Sequence, residues 1–214
     1  TDYTLDNNTL GDRNVALGYV ALTANSEGSK NTGIGTSSSK ANTTGSQNTS
    51  VGNSSLYSNT SASYNTAIGG RALYNANRTA DTDGYNTALG YNAGNTGTND
   101  ITTGNKNTLL GASTAASAAA GTNQTVIGFG ASGTADNSVT IGNSSVTAWY
   151  PGSDDTADLG SNSVEFKDLY IDGTANLDAV DIDGGAIDGS AIGANSASTG
   201  AFTPITASTS LDVT

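Results

Sequence analysis

Cysteine, histidine and methionine are all absent from this chain, and proline occurs only twice in 214 residues. Without cysteine there is neither a disulfide framework nor a thiolate metal site. Without histidine the commonest general base and the commonest metal ligand are missing. Charged residues are scarce at 12%, aromatics make up 6%, and no apolar run approaches the roughly 18–20 residues that cross a bilayer. A chain that starts at Thr1 and holds no methionine reads as a processed product or a piece of something longer.

What is present is glycine (28 residues) together with much Thr, Ser, Asn and Ala. Large apolar side chains are too few for a thick core, yet the charge is too low for a disordered coil. A thin, repetitive, backbone-dominated structure resolves that conflict. Charge is unevenly placed: residues 1–142 carry eight acids and six bases, residues 143–214 eleven acids and one base, Lys167. A net charge of −12 repels phosphate backbones and anionic lipid, so neither nucleic acid nor membrane is an expected partner.

One phrase recurs along the chain: "NVALGYVAL" from Asn14, "NTAIGGRALYN" from Asn65, "NTALGYNAG" from Asn86. Aligned on its glycine it places Gly18, Gly35, Gly52, Gly69, Gly90, Gly111, Gly128 and Gly142 at spacings of 17, 17, 17, 21, 21, 17 and 14. Before each glycine stands a branched aliphatic: Leu17, Ile34, Val51, Ile68, Leu89, Leu110, Ile127, Ile141. Two residues earlier comes Val15, Thr32, Thr49, Thr66, Thr87, Thr108, Thr125 or Val139, and the residue between is small until Leu109 and Val126. Asn stands four before the glycine in six copies, replaced by Gln124 and Ser138 in the last two, and three after it the residue is always small.

The β-branched residue and the aliphatic, two apart, share one face of a short strand. As the only reliably apolar column, the aliphatics are expected to form the inside, and the small column between them is expected to press against another layer or chain. Glycine suits a sharp corner. Asn suits the opposite corner, and its stacked copies can form a ladder of amide hydrogen bonds. Parallel stacking of such units gives an all-β solenoid of about eight turns, about 40 Å long at ~4.8 Å per turn. The longer copies insert loops at 75–84 and 95–104, placed outside the ladder. So thin a core is marginal alone, and a parallel homotrimer is the expected closure.

The phrase "NTAIG…A", its glycine corner and its 14-residue minimum resemble the head repeats of trimeric autotransporter adhesins and of many phage tail fibres, over roughly residues 8–146. The resemblance implies a left-handed parallel β-roll with three chains side by side. "DLGSNSVEFKDLYIDG" (158–173) resembles a segment frequent in phage tail fibres, and residues 174–214 are similar to tail-fibre shaft sequence, in which three chains intertwine. The chain thus divides into a β-roll repeat domain (1–146), a capping or linker segment (147–173) and a β-rich trimeric shaft segment (174–214). Trp149, Phe166 and Tyr170 are expected to plug the open end of the roll.

Chemistry is harder to find. Asp178, Asp181, Asp183 and Asp188 lack the spacing, central glycine and distal glutamate of a calcium loop, and read as solvated turn carboxylates. Asp81 with Asp83, and Asp154 with Asp155, have no apolar pocket in which a glycosidase acid could sit. No cofactor or metal is expected, and the chain is not read as an enzyme. Tyr57 and Tyr74 share one register and Tyr64 and Tyr85 another; stacked tyrosines bind sugar faces or pack as structural ladders, and the second reading is preferred. Tyr57, Tyr74, Arg71 and Arg78 are the candidate receptor contacts.

The expected function is that of a structural and adhesive component of a phage tail fibre, on the virion and extracellular, which projects a host-recognition element. Its expected partners are its own copies, other tail or fibre proteins, and a host cell-surface polysaccharide or protein receptor. A bacterial trimeric surface adhesin is the alternative. An ice-binding solenoid, suggested by the Thr column, fails a simple test, since it needs a flat exposed Thr face and Thr here shares the face of the inward aliphatic. A glycan-cleaving tail spike comes last.

Overall fold

A computed structural model of the chain describes residues 3–79, 83–152, 159–161, 163–173 and 175. It divides into two units, Thr1–Asp154 and Asp155–Thr214. The first is a parallel β-solenoid, and no helix occurs among the described residues. Its eight strands are β1 (Val15–Leu17), β2 (Thr32–Ile34), β3 (Thr49–Val51), β4 (Thr66–Ile68), β5 (Thr87–Leu89), β6 (Thr108–Leu110), β7 (Thr125–Ile127) and β8 (Val139–Ile141). They form one sheet in chain order, with Thr32 opposite Thr49 and Ile34 opposite Val51, and so on through the stack. Eight strands bound about seven full turns. A partial turn precedes β1, where the Leu5 amide donates to Ala21 and the Asn7 amide to Thr23.

The two faces of each strand are the reverse of the expectation. In β2 to β7 the middle residue is the buried one and its neighbours are half-buried or exposed. Leu17 is 66% exposed and Ile68 36%, while Ala67 between Thr66 and Ile68 is fully enclosed. The inside is therefore built from the small middle column and from the two residues three and four after each glycine, such as Ala72 and Leu73. Two consecutive side chains cannot both face inward from an extended strand. Here the second of them takes a left-handed backbone: Leu22, Ser39, Leu56 and Leu73 have φ of 49°, 47°, 51° and 48°.

Volume explains why a three-residue strand turns its small residue inward. Each residue four after a glycine shares space with the middle residue of the next strand. Leu22 faces Gly33, where a Cβ would come within 3.0 Å of the leucine Cγ. Ser39 meets Ser50, with hydroxyls 2.7 Å apart. When the outer partner shrinks to Gly94 the strand residue grows to Leu109, whose Cδ1 would lie 3.0 Å from a Cβ at Gly94. Ile101, from the loop expected to lie wholly outside, returns to fill the same region and is fully buried. A narrow core is thus packed by complementary pairs rather than by one column.

The Asn column forms the expected ladder. The Asn48 amide donates to Ala62 O at 2.8 Å, and its Oδ1 accepts the Asn65 backbone amide at 2.9 Å and the Asn65 side chain at 3.2 Å. The same pattern runs from Asn31 on Asn14 to Gln124 on Asn107. Positive φ does not fall on the Asn, however. It falls on the residue before, which is Arg13, Lys30, Gln47, Tyr64, Tyr85, Lys106, Asn123 or Asn137. Asn48→Ala leaves the buried Asn65 backbone amide without its acceptor, while Ala62 O keeps the Asn59 side-chain amide at 2.9 Å, so a loss of about 1–3 kcal/mol in denaturant unfolding is expected.

A second ladder joins Asn8, Asn25, Asn42 and Asn59, each amide donating to the Oδ1 before it at 2.7–2.8 Å. It stops because the next residue in register is Ala76, and the buried Asn59 Oδ1 has no hydrogen-bond partner. The Ala76 amide donates to Leu73 O just as the Asn59 amide donates to Leu56 O, so the backbone already suits another asparagine. Ala76→Asn should extend the ladder by one bond but bury a new partnerless Oδ1 among Leu56 and Leu73, so no rise in melting temperature is expected.

Candidate functional site

The outward face of the sheet carries two parallel rows. One is Val15, Thr32, Thr49, Thr66, Thr87, Thr108, Thr125 and Val139; the other is the complete aliphatic column from Leu17 to Ile141. Leu17, Ile34, Val51, Ile68, Leu89, Leu110, Ile127 and Ile141 are accordingly not the core of the roll. They are a continuous apolar stripe on its surface, exposed or half-buried at every turn. Monomeric surfaces rarely keep so regular an apolar stripe in water.

Tyr57 and Tyr74 stack at 4.8 Å between centroids with planes 4° apart, and Tyr64 and Tyr85 at 4.9 Å and 10°. The Lys40 ammonium lies 5.9 Å from the Tyr57 centroid and the Arg71 guanidinium 4.9 Å from that of Tyr74. The tyrosines therefore spend ring faces on each other and on cations, which is the structural ladder. The register that brought them to notice is real, but stacking leaves mainly their edges to a ligand. Arg78 donates to Thr103 O, and the Asn77 amide to Thr102 O, so this segment binds the two inserted loops together. No family model and no curated protein matches the chain.

Among the described residues no group of three or more His, Cys, Asp or Glu is placed to hold a metal. Asp83 accepts the Tyr85 hydroxyl at 3.1 Å. Asp81, Asp154, Asp155, Asp178, Asp181, Asp183 and Asp188 lie outside the described residues, as does nearly all of 174–214. No described helix is long and apolar enough to cross a membrane. Trp149, at 78% exposed, does not plug the roll, and Phe166 and Tyr170 are exposed as well.

Sequence reasoning missed a third surface. Tyr19, Tyr91 and Phe129, each directly after a corner glycine, are exposed by 66%, 60% and 73%. Their column otherwise holds Thr36, Asn53, Gly70, Ala112 and Asn143, so no regular pattern marked it.

Proposed function

We propose that the chain is part of a homotrimeric, rod-like adhesive protein, a phage tail-fibre segment whose β-roll holds a host-recognition element away from the particle. The observation that carries this reading is the outward aliphatic stripe. It is unbroken through all eight strands, and a second and third copy in parallel would meet it with an identical stripe at the same spacing. The chains would associate through this aliphatic face, and the small column expected to do so instead fills each roll. The repeat's resemblance to adhesin heads and tail fibres supports the same assembly, and it leaves a bacterial surface adhesin as the alternative setting. Light scattering on the whole chain is expected to give three times the 21.2 kDa chain mass, and a monomer would overturn the assembly.

One observation favours a second reading. Thr32, Thr49, Thr66, Thr87, Thr108 and Thr125 stand outward in register, so the ground on which ice binding was set aside is removed. Every turn nevertheless pairs its Thr with an aliphatic, and the row ends in Val15 and Val139, which suits a protein partner better. Thermal hysteresis in a freezing-point measurement separates the two.

A further inference from the structure

We infer that Tyr64 and Tyr85 form a modification site, at which a one-electron oxidant of the kind a haem peroxidase makes from hydrogen peroxide joins the two rings into a dityrosine bridge. The bridge links successive turns of one chain, so the inference goes beyond the assembly proposed above and does not depend on it.

The chain has no Cys, Met or His, so tyrosine and the single Trp149 are its readily oxidised side chains. Of its nine tyrosines, four stand in stacked pairs. The Tyr64 and Tyr85 ring centroids are 4.9 Å apart, with planes 10° apart. The backbone holds this pair from both sides. The Gly84 amide donates to Ser63 O at 2.9 Å, and the Asn86 amide donates to Asn65 Oδ1 at 3.2 Å. Both tyrosines share the left-handed backbone, with φ of 63° and 49°. At 40% and 47% exposed, the rings keep their outer edges in water, and those edges carry the carbons at which phenols couple.

The Tyr85 hydroxyl donates to Asp83 Oδ2 at 3.1 Å. A phenol loses an electron more readily when its proton leaves with it, and this carboxylate is placed to take that proton. Each phenol gives up one electron and one proton, the Tyr85 proton to Asp83 and the Tyr64 proton to water. The two neutral radicals join through the ring carbons beside the hydroxyl carbons, and the hydrogens displaced there return to the oxygens. In sum two electrons and two protons leave, and one hydrogen peroxide takes them up to become two waters. The bridge fastens the turn that the inserted loop 75–84 lengthens, as a disulfide would in a chain with cysteine.

Tyr57 and Tyr74 supply the contrast. They stack as closely, at 4.8 Å and 4°, but the Arg71 guanidinium lies 4.9 Å from the Tyr74 centroid and the Lys40 ammonium 5.9 Å from that of Tyr57. A positive charge over a ring face opposes removal of an electron from that ring. Stacking is common to both pairs, and the carboxylate acceptor belongs to one.

The test treats the full chain with a haem peroxidase and hydrogen peroxide, digests it after Lys and Arg, and identifies linked peptides by mass spectrometry. A Tyr64–Tyr85 bridge joins peptide 41–71 to peptide 79–106, whereas a Tyr57–Tyr74 bridge joins 41–71 to 72–78, each with loss of two hydrogens. The first link should form within chains that keep their single mass on a denaturing gel, in excess over the second on the order of tenfold. Tyr64→Phe and Tyr85→Phe should each remove it, and Tyr57→Phe should leave it. Asp83→Asn keeps an acceptor for the hydroxyl but cannot take its proton, so it should slow the link on the order of tenfold, and Asp83→Glu should restore it. The bridged chain should melt at a higher temperature than the untreated one. Absence of the Tyr64–Tyr85 link, whether or not other tyrosines couple, overturns the site while the rod reading stands. Equal yield from the two stacked pairs, or a link formed as fast in Asp83→Asn as in the parent, overturns the part given to the carboxylate.

Discussion

Gly52→Ala is expected to cost about 4 kcal/mol or more, enough to prevent folding of a thin solenoid at ordinary temperature. Two separate effects add. The backbone of Gly52 has φ +133°, a conformation that residues with a Cβ rarely adopt. The added methyl would also stand 2.6 Å from both the carbonyl carbon and the carbonyl oxygen of Gly69, and 2.9 Å from the Gly70 nitrogen. All three are backbone atoms of the next turn, so no side-chain rotation relieves the contact. Relief requires the turns to part, and the hydrogen bond from the Gly69 amide to Val51 O at 2.7 Å opposes that. Gly97→Ala isolates the first effect. Gly97 has φ +84°, but a Cβ there meets nothing within 4 Å, so only about 1–2 kcal/mol of backbone strain is expected. Circular dichroism through thermal and urea unfolding measures both. If Gly52→Ala and Gly97→Ala melt together, close approach of the turns does not enforce the corner glycine.

The corner glycines were legible because such close approach permits only one residue type. Strand positions were legible too: each three-residue strand covers the β-branched residue, the middle residue and the aliphatic of the recurring phrase. The direction of the strands was not, because a column of Leu, Ile and Val looks like a core whether it faces its own chain or another. The information that decides it lies between columns. Leu22, Leu56 and Leu73 precede Gly33, Ala67 and Ala88, whereas Gly94 and Ala115 precede Leu109 and Val126. Where one partner grows the other shrinks, as only residues sharing an enclosed volume must. The left-handed residue at Arg13, Lys30, Gln47 or Tyr64 was illegible for a different reason, since none of these types favours that backbone and the stacked turns impose it. Tyr57 and Tyr74 declared themselves by register; Tyr91 and Phe129 did not, because their column otherwise holds Thr36, Asn53, Gly70, Ala112 and Asn143.

Two neighbouring substitutions set the inside and outside of the roll against each other. Ala67→Asp places a carboxylate where nothing is exposed, in the cluster that includes Leu56, Leu73 and Ala88. No cation lies in that cluster, so the charge is buried unpaired, and a cost of about 3–5 kcal/mol or more is expected, with loss of the folded roll. Ile68→Asp, one residue along, points away from that core. In the isolated chain its carboxylate reaches water, so the strand signal in circular dichroism should persist. Its effect falls on association instead: in a parallel trimer three such carboxylates converge within one turn of the apolar stripe, where like charges repel and lose their water. The mass by light scattering should drop from three chains toward one. The pair is decisive because the two residues are adjacent, share one strand and receive the same side chain. Should Ile68→Asp unfold the chain while Ala67→Asp leaves it intact, the aliphatics would be the core after all. Should Ile68→Asp keep both its fold and a trimeric mass, the chains would meet through some other face.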